Sequence, residues 1–350
     1  MLSPTVSPTN ARTPLNLDLR VGGHGDNWMR LASLYSAAVL RPQFTLSCLV
    51  PPMLRPLAQG IFSDRILLPT ELPDKGLAYE NKGLRALLPR AFRGERFIVP
   101  YHRVMTRDWN TGSLKDAVNV RLFSFFDALG WTQLPPWPAL DVYQGYLEVV
   151  SIAALRDIAW PEYLAQAEKD FPQIVARMGE TVPVSPELTF PADIGSAVAV
   201  FPSGTSHQFM PLSWARRHLP DAYYCFFHRD PEQEAFRAAG LRILNFFREP
   251  GDIVEIARRA RWTVTTCSLP SHLLQFSTEK VTVALIQFPR SRIVSPFFRG
   301  AVVEPGAPCA PCPHLERKGF PLCKAGYSEC MSWGSHVYTS RLLASIPKLQ

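Results

Sequence analysis

Two textures alternate along the chain. Runs of five to eight mostly apolar residues (197–201, 223–228, 241–247, 281–288) are separated by stretches, such as 231–239 and 252–261, in which apolar residues recur every three or four positions among charges. The runs have the length of buried strands, and the periodic stretches have helical spacing. Strands alternating with helices imply βαβ units and a parallel sheet. The start of the chain has the same texture. A strand is expected at 15–21 and a helix at 27–40, where Trp28, Leu31, Leu34, Tyr35 and Ala38 share a face. Further strands are expected at 44–50 and 64–69, with 51–60 as a connection.

The middle is less regular. Residues 73–119 carry Lys75, Lys82, Arg85, Arg90, Arg93, Arg96, Arg103 and Arg107 among apolar neighbours, and read either as a solvated face or as a basic wall for a phosphorylated acceptor. A helix is expected at 114–129, a proline-broken turn at 131–138, and further strand and helix material at 147–178. Three prolines within 183–191 mark the best linker. The expected organisation is a tail at 1–13, an acceptor-side domain at 14–182 and a linker at 183–195. A nucleotide-sugar-binding domain follows at 196–334, and then a helix or tail at 335–350. The fold class is α/β, with two Rossmann-like doubly wound domains facing across a cleft and a last helix at 335–346 packed back across the first domain.

Composition narrows the setting. A chain of 350 residues with 47% hydrophobic and 19% charged residues can bury a large core in two domains. A net charge of +7 points to anionic partners, including peripheral association with an acidic membrane surface. The cations are spread along the chain and not gathered in a tail, so nucleic acid is not expected as a partner. Residues 1–13 are rich in Ser, Thr and Pro and lack the basic start and apolar run of a secretory signal, and no window approaches about 18 consecutive apolar residues. The expected location is the cytoplasm, including the inner face of a bacterial inner membrane.

In open α/β sheets, ligands bind outside the carboxyl ends of the strands. Three polar turns fall there. The first, Gly22-Gly23-His24-Gly25-Asp26, precedes a helix and lets backbone approach a ligand closely. The second, Pro202-Ser203-Gly204-Thr205-Ser206-His207-Gln208, offers three hydroxyls and a run of N–H groups, with Ser213 as a plausible cap of the helix that follows. The third is Ser268-Leu269-Pro270-Ser271-His272. Asp26 reads as a helix cap or as a general base, and His272 as an anion ligand or as a packed core histidine. Late in the chain, Cys309-x2-Cys312-x10-Cys323-x6-Cys330 is read two ways, as a closed tetrahedral site for structural zinc or iron or as free or paired thiols. Cys48 and Cys225 lie in expected strands and read as buried core residues.

With these residues in order, the chain resembles the bacterial heptosyltransferase family, glycosyltransferase family 9 of the GT-B type. The likeness rests on the glycine turn ending in Asp26, on Phe201 to Trp214, on Asp252 to Leu273 with its Pro270-Ser271-His272-Leu273 ending, and on Ser295-Pro296 with the late cysteines. It covers nearly all of the second half and about the first 40 residues. The resemblance implies transfer of a sugar, with inversion, from a nucleoside-diphosphate donor to a glycan, lipopolysaccharide or protein hydroxyl, with no cofactor required for catalysis. It makes Asp26 the base, Gly23, His24 and Gly25 acceptor-side residues, and Ser203, Gly204, Thr205, Ser206 and Gln208 donor ligands. Ser268, Leu269, Pro270, Ser271 and His272 complete the diphosphate site, and Glu232 holds the ribose. The chain departs from the family at Gln208, where a lysine is common, and at Cys267 and Leu269, where an acid and a glycine are common. These departures keep open a non-catalytic nucleotide-binding or scaffold relative with a degenerate donor site.

Overall fold

The computed structural model describes residues 12–20, 23–71, 77–79, 158–180, 182–203, 209–286, 290–305 and 331–347. The helix and turn expected at 114–129 and 131–138, most of the basic stretch and the four late cysteines lie outside these residues.

The first half builds a sheet from β1 (Thr13–Asp18), β2 (Phe44–Leu49), β3 (Ile66–Leu67) and β4 (Leu77–Tyr79), all parallel, in the order β3-β2-β1-β4. Helix α1 (His24–Leu40) follows β1 and buries Trp28, Met29, Leu31, Leu34 and Tyr35. The connection expected at 51–60 contains a helix, α2 (Arg55–Phe62), with Leu57, Ala58, Ile61 and Phe62 buried. Pro51 and Pro52 mask its start in the sequence, but Pro56 sits in its first turn, where a missing N–H costs nothing.

Helix α3 (Trp160–Glu180) lies across α1 and α2 despite an internal Pro172. Tyr163 Oη donates to Ser33 O at 3.1 Å. Arg177 donates to both Asp64 oxygens at 2.6 and 3.0 Å. Arg65 pairs with the buried Asp170 at 2.9 Å while lying over the Tyr35 ring.

From Val182 to Asp193 the chain has no helix or strand, and a short helical turn (Ile194–Ser196) leads into the second sheet. Buried Asp252 holds this stretch: Ser185 N donates to Oδ1 and Phe247 N to Oδ2, both at 2.7 Å. Gly251 is required by space, since a Cβ there would stand 1.8 Å from Pro183 O.

The second sheet comprises β5 (Val198–Phe201), β6 (Tyr223–Phe227), β7 (Arg242–Phe246), β8 (Trp262–Thr266), β9 (Val281–Ala284) and β10 (Ala301–Val303). All are parallel, in the order β10-β9-β8-β5-β6-β7. Helices α4 (Leu212–His218) and α5 (Glu232–Ala238) cover one face, and α6 (Gly251–Arg259) and α7 (Leu269–Leu274) the other. Right-handed crossovers leaving β5 in opposite directions require this split. Helix α8 (Arg290–Ile293) precedes β10. Ser213 is not a cap: α4 begins at Leu212 after Pro211, which places Ser213 inside the first turn.

Two short helices close the chain, α9 (Met331–Gly334) and α10 (His336–Ala344). Contrary to expectation, α10 packs on the second sheet. Tyr338, Leu342 and Ile346 join Val198, Val264, Ala284 and Trp214, and Trp214 Nε1 donates to Thr339 Oγ1 at 2.9 Å. That apolar stripe matches the face left open beside α4. On the opposite face, the core under α6 and α7 continues into the first half, where Trp28 meets Phe276 edge-on.

Candidate active site

Each sheet has one place where the strand order reverses. In the first it lies between β1 and β4, and in the second between β5 and β8. In open α/β sheets such reversal points, at the carboxyl ends of the strands, are the usual binding place. All three polar turns stand at these points, after β1, β5 and β8. The two sheets meet through α1 and α7, which follow β1 and β8.

Gly23 precedes α1 in extended conformation, and its N–H donates to Asp26 Oδ2 at 2.9 Å. This is the return half of a capping box, in which an acid three residues into a helix reaches back to the entry N–H. It fixes the half-buried carboxylate at the helix start, where the positive end of the dipole favours its charge. Asp26 is therefore a cap in its geometry. His24 is exposed at the same turn, and partial desolvation lowers its pKa.

Gly25 is buried against His272. A Cβ at position 25 would lie 2.4 Å from His272 Cδ2, 3.2 Å from Cγ and 3.3 Å from Nε2. The glycine is there for space, and the imidazole fills the notch it leaves. His272 is 4% exposed. Burial lowers its pKa, and the nearby Asp26 carboxylate opposes the shift without reversing it. The ring is thus neutral at pH 7, a wedge between the halves and not a cation.

The turn before α7 uses much of its own polarity. Ser268 N donates to Ser271 Oγ at 3.0 Å, Ser271 Oγ donates to Ser268 O at 2.7 Å, and Ser268 Oγ donates to Thr266 O at 3.3 Å. Pro270 has no N–H and fits the first helical turn. The turn therefore offers fewer donors than its length suggests, with Leu269 half-buried at its rim. Cys267 is buried, and its side chain joins the core.

Ser203 sits half-buried at the end of β5, and Met210 N donates to Pro202 O at 2.9 Å to close the neck of that loop. Gly204, Thr205, Ser206, His207 and Gln208 lie outside the described residues. Glu232 opens α5, half-buried, with its N–H donating to Asp230 Oδ1 at 3.0 Å. The preceding turn contains Arg229 at φ +66°, a left-handed conformation uncommon for a residue with a Cβ. Next to it, His228 lies 5.0 Å from Phe247 ring to ring, which forms an aromatic rim beyond β6 and β7 that sequence spacing does not announce. Among the described residues, no group of three or more His, Cys, Asp or Glu could hold a metal ion, and no helix is long and apolar enough to cross a membrane. A groove of about 600 Å³ lined by Val184, Leu188, Phe190, Glu255 and Arg259 lies beside the linker, at the amino ends of the strands and apart from these turns.

The fold defines the chain as a doubly wound α/β protein, with the Asp26 carboxylate and the Ser268–His272 turn where its sheets meet. No family model and no curated protein matches it. It is similar in fold to solved structures. One is the E. coli ADP-heptose LPS heptosyltransferase II, with 12% identity, 95% of this chain and 97% of that one covered, and a TM-score of 0.47. Another is a glycosyl transferase family 9 protein from Veillonella parvula, with 11% identity, 97% and 99% covered, and a TM-score of 0.49. A third is the E. coli heptosyltransferase WaaC with ADP, with 12% identity, 87% and 96% covered, and a TM-score of 0.42.

Proposed function

We propose that the chain is an inverting glycosyltransferase that moves a sugar from a nucleoside-diphosphate donor to an acceptor hydroxyl. One observation supports this reading: the reversal points of both sheets adjoin through Gly25 and His272, with the Asp26 carboxylate on one side and the Ser268–His272 turn on the other. In this reading the division near 183–195 separates an acceptor half from a donor half. The acceptor hydroxyl attacks the anomeric carbon and loses its proton to Asp26, the bond to the diphosphate breaks, and the nucleoside diphosphate departs with that electron pair. The Gly23 N–H bond orients the carboxylate for this step. Ser203, Gly204, Thr205, Ser206 and Gln208, with the N–H groups of the Ser268–His272 turn, hold the diphosphate, and Glu232 the ribose. The acceptor is a glycan, lipopolysaccharide or protein hydroxyl, met in the cytoplasm or at the inner membrane face.

A second reading has its own support. A neutral His272 supplies no positive charge, Gln208 supplies none, and the turn at 268–271 is partly self-satisfied. Among the described residues these turns thus carry no cation of their own, as expected of a non-catalytic nucleotide-binding or scaffold protein.

Thermal shift with ADP, GDP, UDP and CDP, followed by sugar transfer with the matching donors, separates the two. The transferase reading expects stabilisation by one diphosphate. Asp26→Asn should keep that binding and lower transfer by about 10²–10⁴-fold. Nucleotide binding without transfer by the wild-type chain would favour the second reading, and transfer undiminished in Asp26→Asn would remove Asp26 as the base.

A further inference from the structure

The groove of about 600 Å³ beside the linker has walls from two elements, and the reading above uses neither. The linker supplies Val184, Leu188, Thr189 and Phe190, and α6 supplies Glu255 and Arg259. Backbone bonds fix the linker wall. Ser185 N is held by the Asp252 carboxylate at 2.7 Å, and Leu188 N donates to Ser185 O at 3.0 Å, which closes a turn at the groove. Val184 is 40% exposed. Leu188 and Phe190 are half-buried, each packing against the core while keeping part of its surface open. On the α6 wall, the Arg259 guanidinium lies over the Phe190 ring at 4.2 Å and donates from Nε to Glu255 Oε1 at 2.7 Å. Its terminal Nη1 and Nη2 make no hydrogen bond among the described residues. Glu255 also faces Arg258, whose Nη1 stands 3.7 Å from Oε2. A single carboxylate therefore serves two guanidiniums, and this stretch of α6 keeps an uncompensated positive charge. Glu187, the acid of the linker, does not line the groove.

Small-molecule sites are concave and mostly apolar, about 300–1,000 Å³ in volume, with a few polar groups that orient the ligand. This groove has that make-up. A guanidinium lying on an aromatic ring turns its edge, and with it the fork of terminal N–H groups, away from the ring. Such a fork matches the two oxygens of a carboxylate. Val184 and Leu188 offer aliphatic surface in the same groove. We infer that the groove binds a small amphipathic carboxylate, its head on Arg259 Nη1 and Nη2 and its apolar body against Val184 and Leu188. A molecule held there bridges the linker to α6, whose Arg258 donates to Met178 O near the end of α3, so the site adjoins the contact between the two halves. The inference does not depend on the transferase reading, because none of its groups belongs to the donor or acceptor turns.

The probe is octanoate, titrated into the full-length chain by ligand-observed NMR at low salt, with its neutral isostere octanamide alongside. Octanoate should bind with a Kd of about 1 mM, ordinary for a fragment of its size, and octanamide about tenfold more weakly for want of the charge. Added salt should weaken the acid and leave the amide unchanged. Arg259→Gln should lower the affinity for octanoate about tenfold and bring acid and amide level. Val184→Asp should weaken both. Residues 184 and 259 are exposed, so the two variants are expected to fold as the wild type does. Absence of octanoate binding by the wild-type chain up to about 10 mM would overturn the inference. So would equal affinity for acid and amide, or binding that neither variant weakens.

Discussion

Gly25→Ala would put a methyl carbon 2.4 Å from His272 Cδ2. Carbons in ordinary contact stand about 3.5–4.0 Å apart, so the ring or a helix must give way by roughly 1 Å. The ring has nowhere to go: His272 is buried, and so are Ser271, Leu273 and Leu274 around it on α7. Overpacking of this kind typically costs about 1–3 kcal/mol. Alanine recovers about 1 kcal/mol of helix propensity over glycine, so the net loss is roughly 0–2 kcal/mol. That range is too wide for the single variant to be diagnostic, so the assay is a double-mutant cycle with His272→Ala, read by urea unfolding. Without the ring, Gly25→Ala should stabilise by about 1 kcal/mol, giving a coupling of about 1–3 kcal/mol. Effects that simply add, within about 0.5 kcal/mol, would mean that residues 25 and 272 do not touch, and the interlock would be refuted.

Two further outcomes follow from the same geometry. His272 binds a proton less readily folded than unfolded, where a histidine titrates near 6.5. Stability should therefore fall as pH drops below about 6.5, until the folded site also protonates. Melting curves from pH 8 to 5 should show the loss in the wild type, a flatter profile in His272→Gln, and a steeper loss in Asp26→Asn, which lacks the opposing carboxylate; identical profiles would refute the assignment. Asp252→Asn leaves one acceptor where two backbone N–H groups converge and turns an amide donor toward the other, so unfolding should come about 3 kcal/mol sooner in urea, and an unchanged midpoint would count against the clamp.

The strands and helices of the second half are legible from hydrophobic period alone. β5, β6, α5, β7 and α6 fall within a residue or two of the runs that announce them, because a parallel strand buried on both faces leaves an unbroken apolar run. Helix α2 is not legible, because its entry prolines look like a loop. The side on which α10 packs is also hidden, since its apolar stripe states that it is buried but not against what. At the site, the three turns are legible as strand-end polarity. The Gly25 notch is not, since its partner ring comes from the opposite half of the chain and only packing brings the two together. The neutrality of His272 likewise depends on burial, which no local sequence reports.

The placement of α10 has a consequence for the growing chain. β5, β6 and β8 present Val198, Tyr224, Phe226 and Val264 to the face that Tyr338, Leu342 and Ile346 later share. Between the emergence of β5 and that of Ile346, synthesis at about 5–20 residues per second takes on the order of ten seconds. For that interval the nascent second sheet carries an uncovered apolar flank beside α4. A ribosome pausing within that window would hold that flank open to solvent, and to neighbouring chains, for longer.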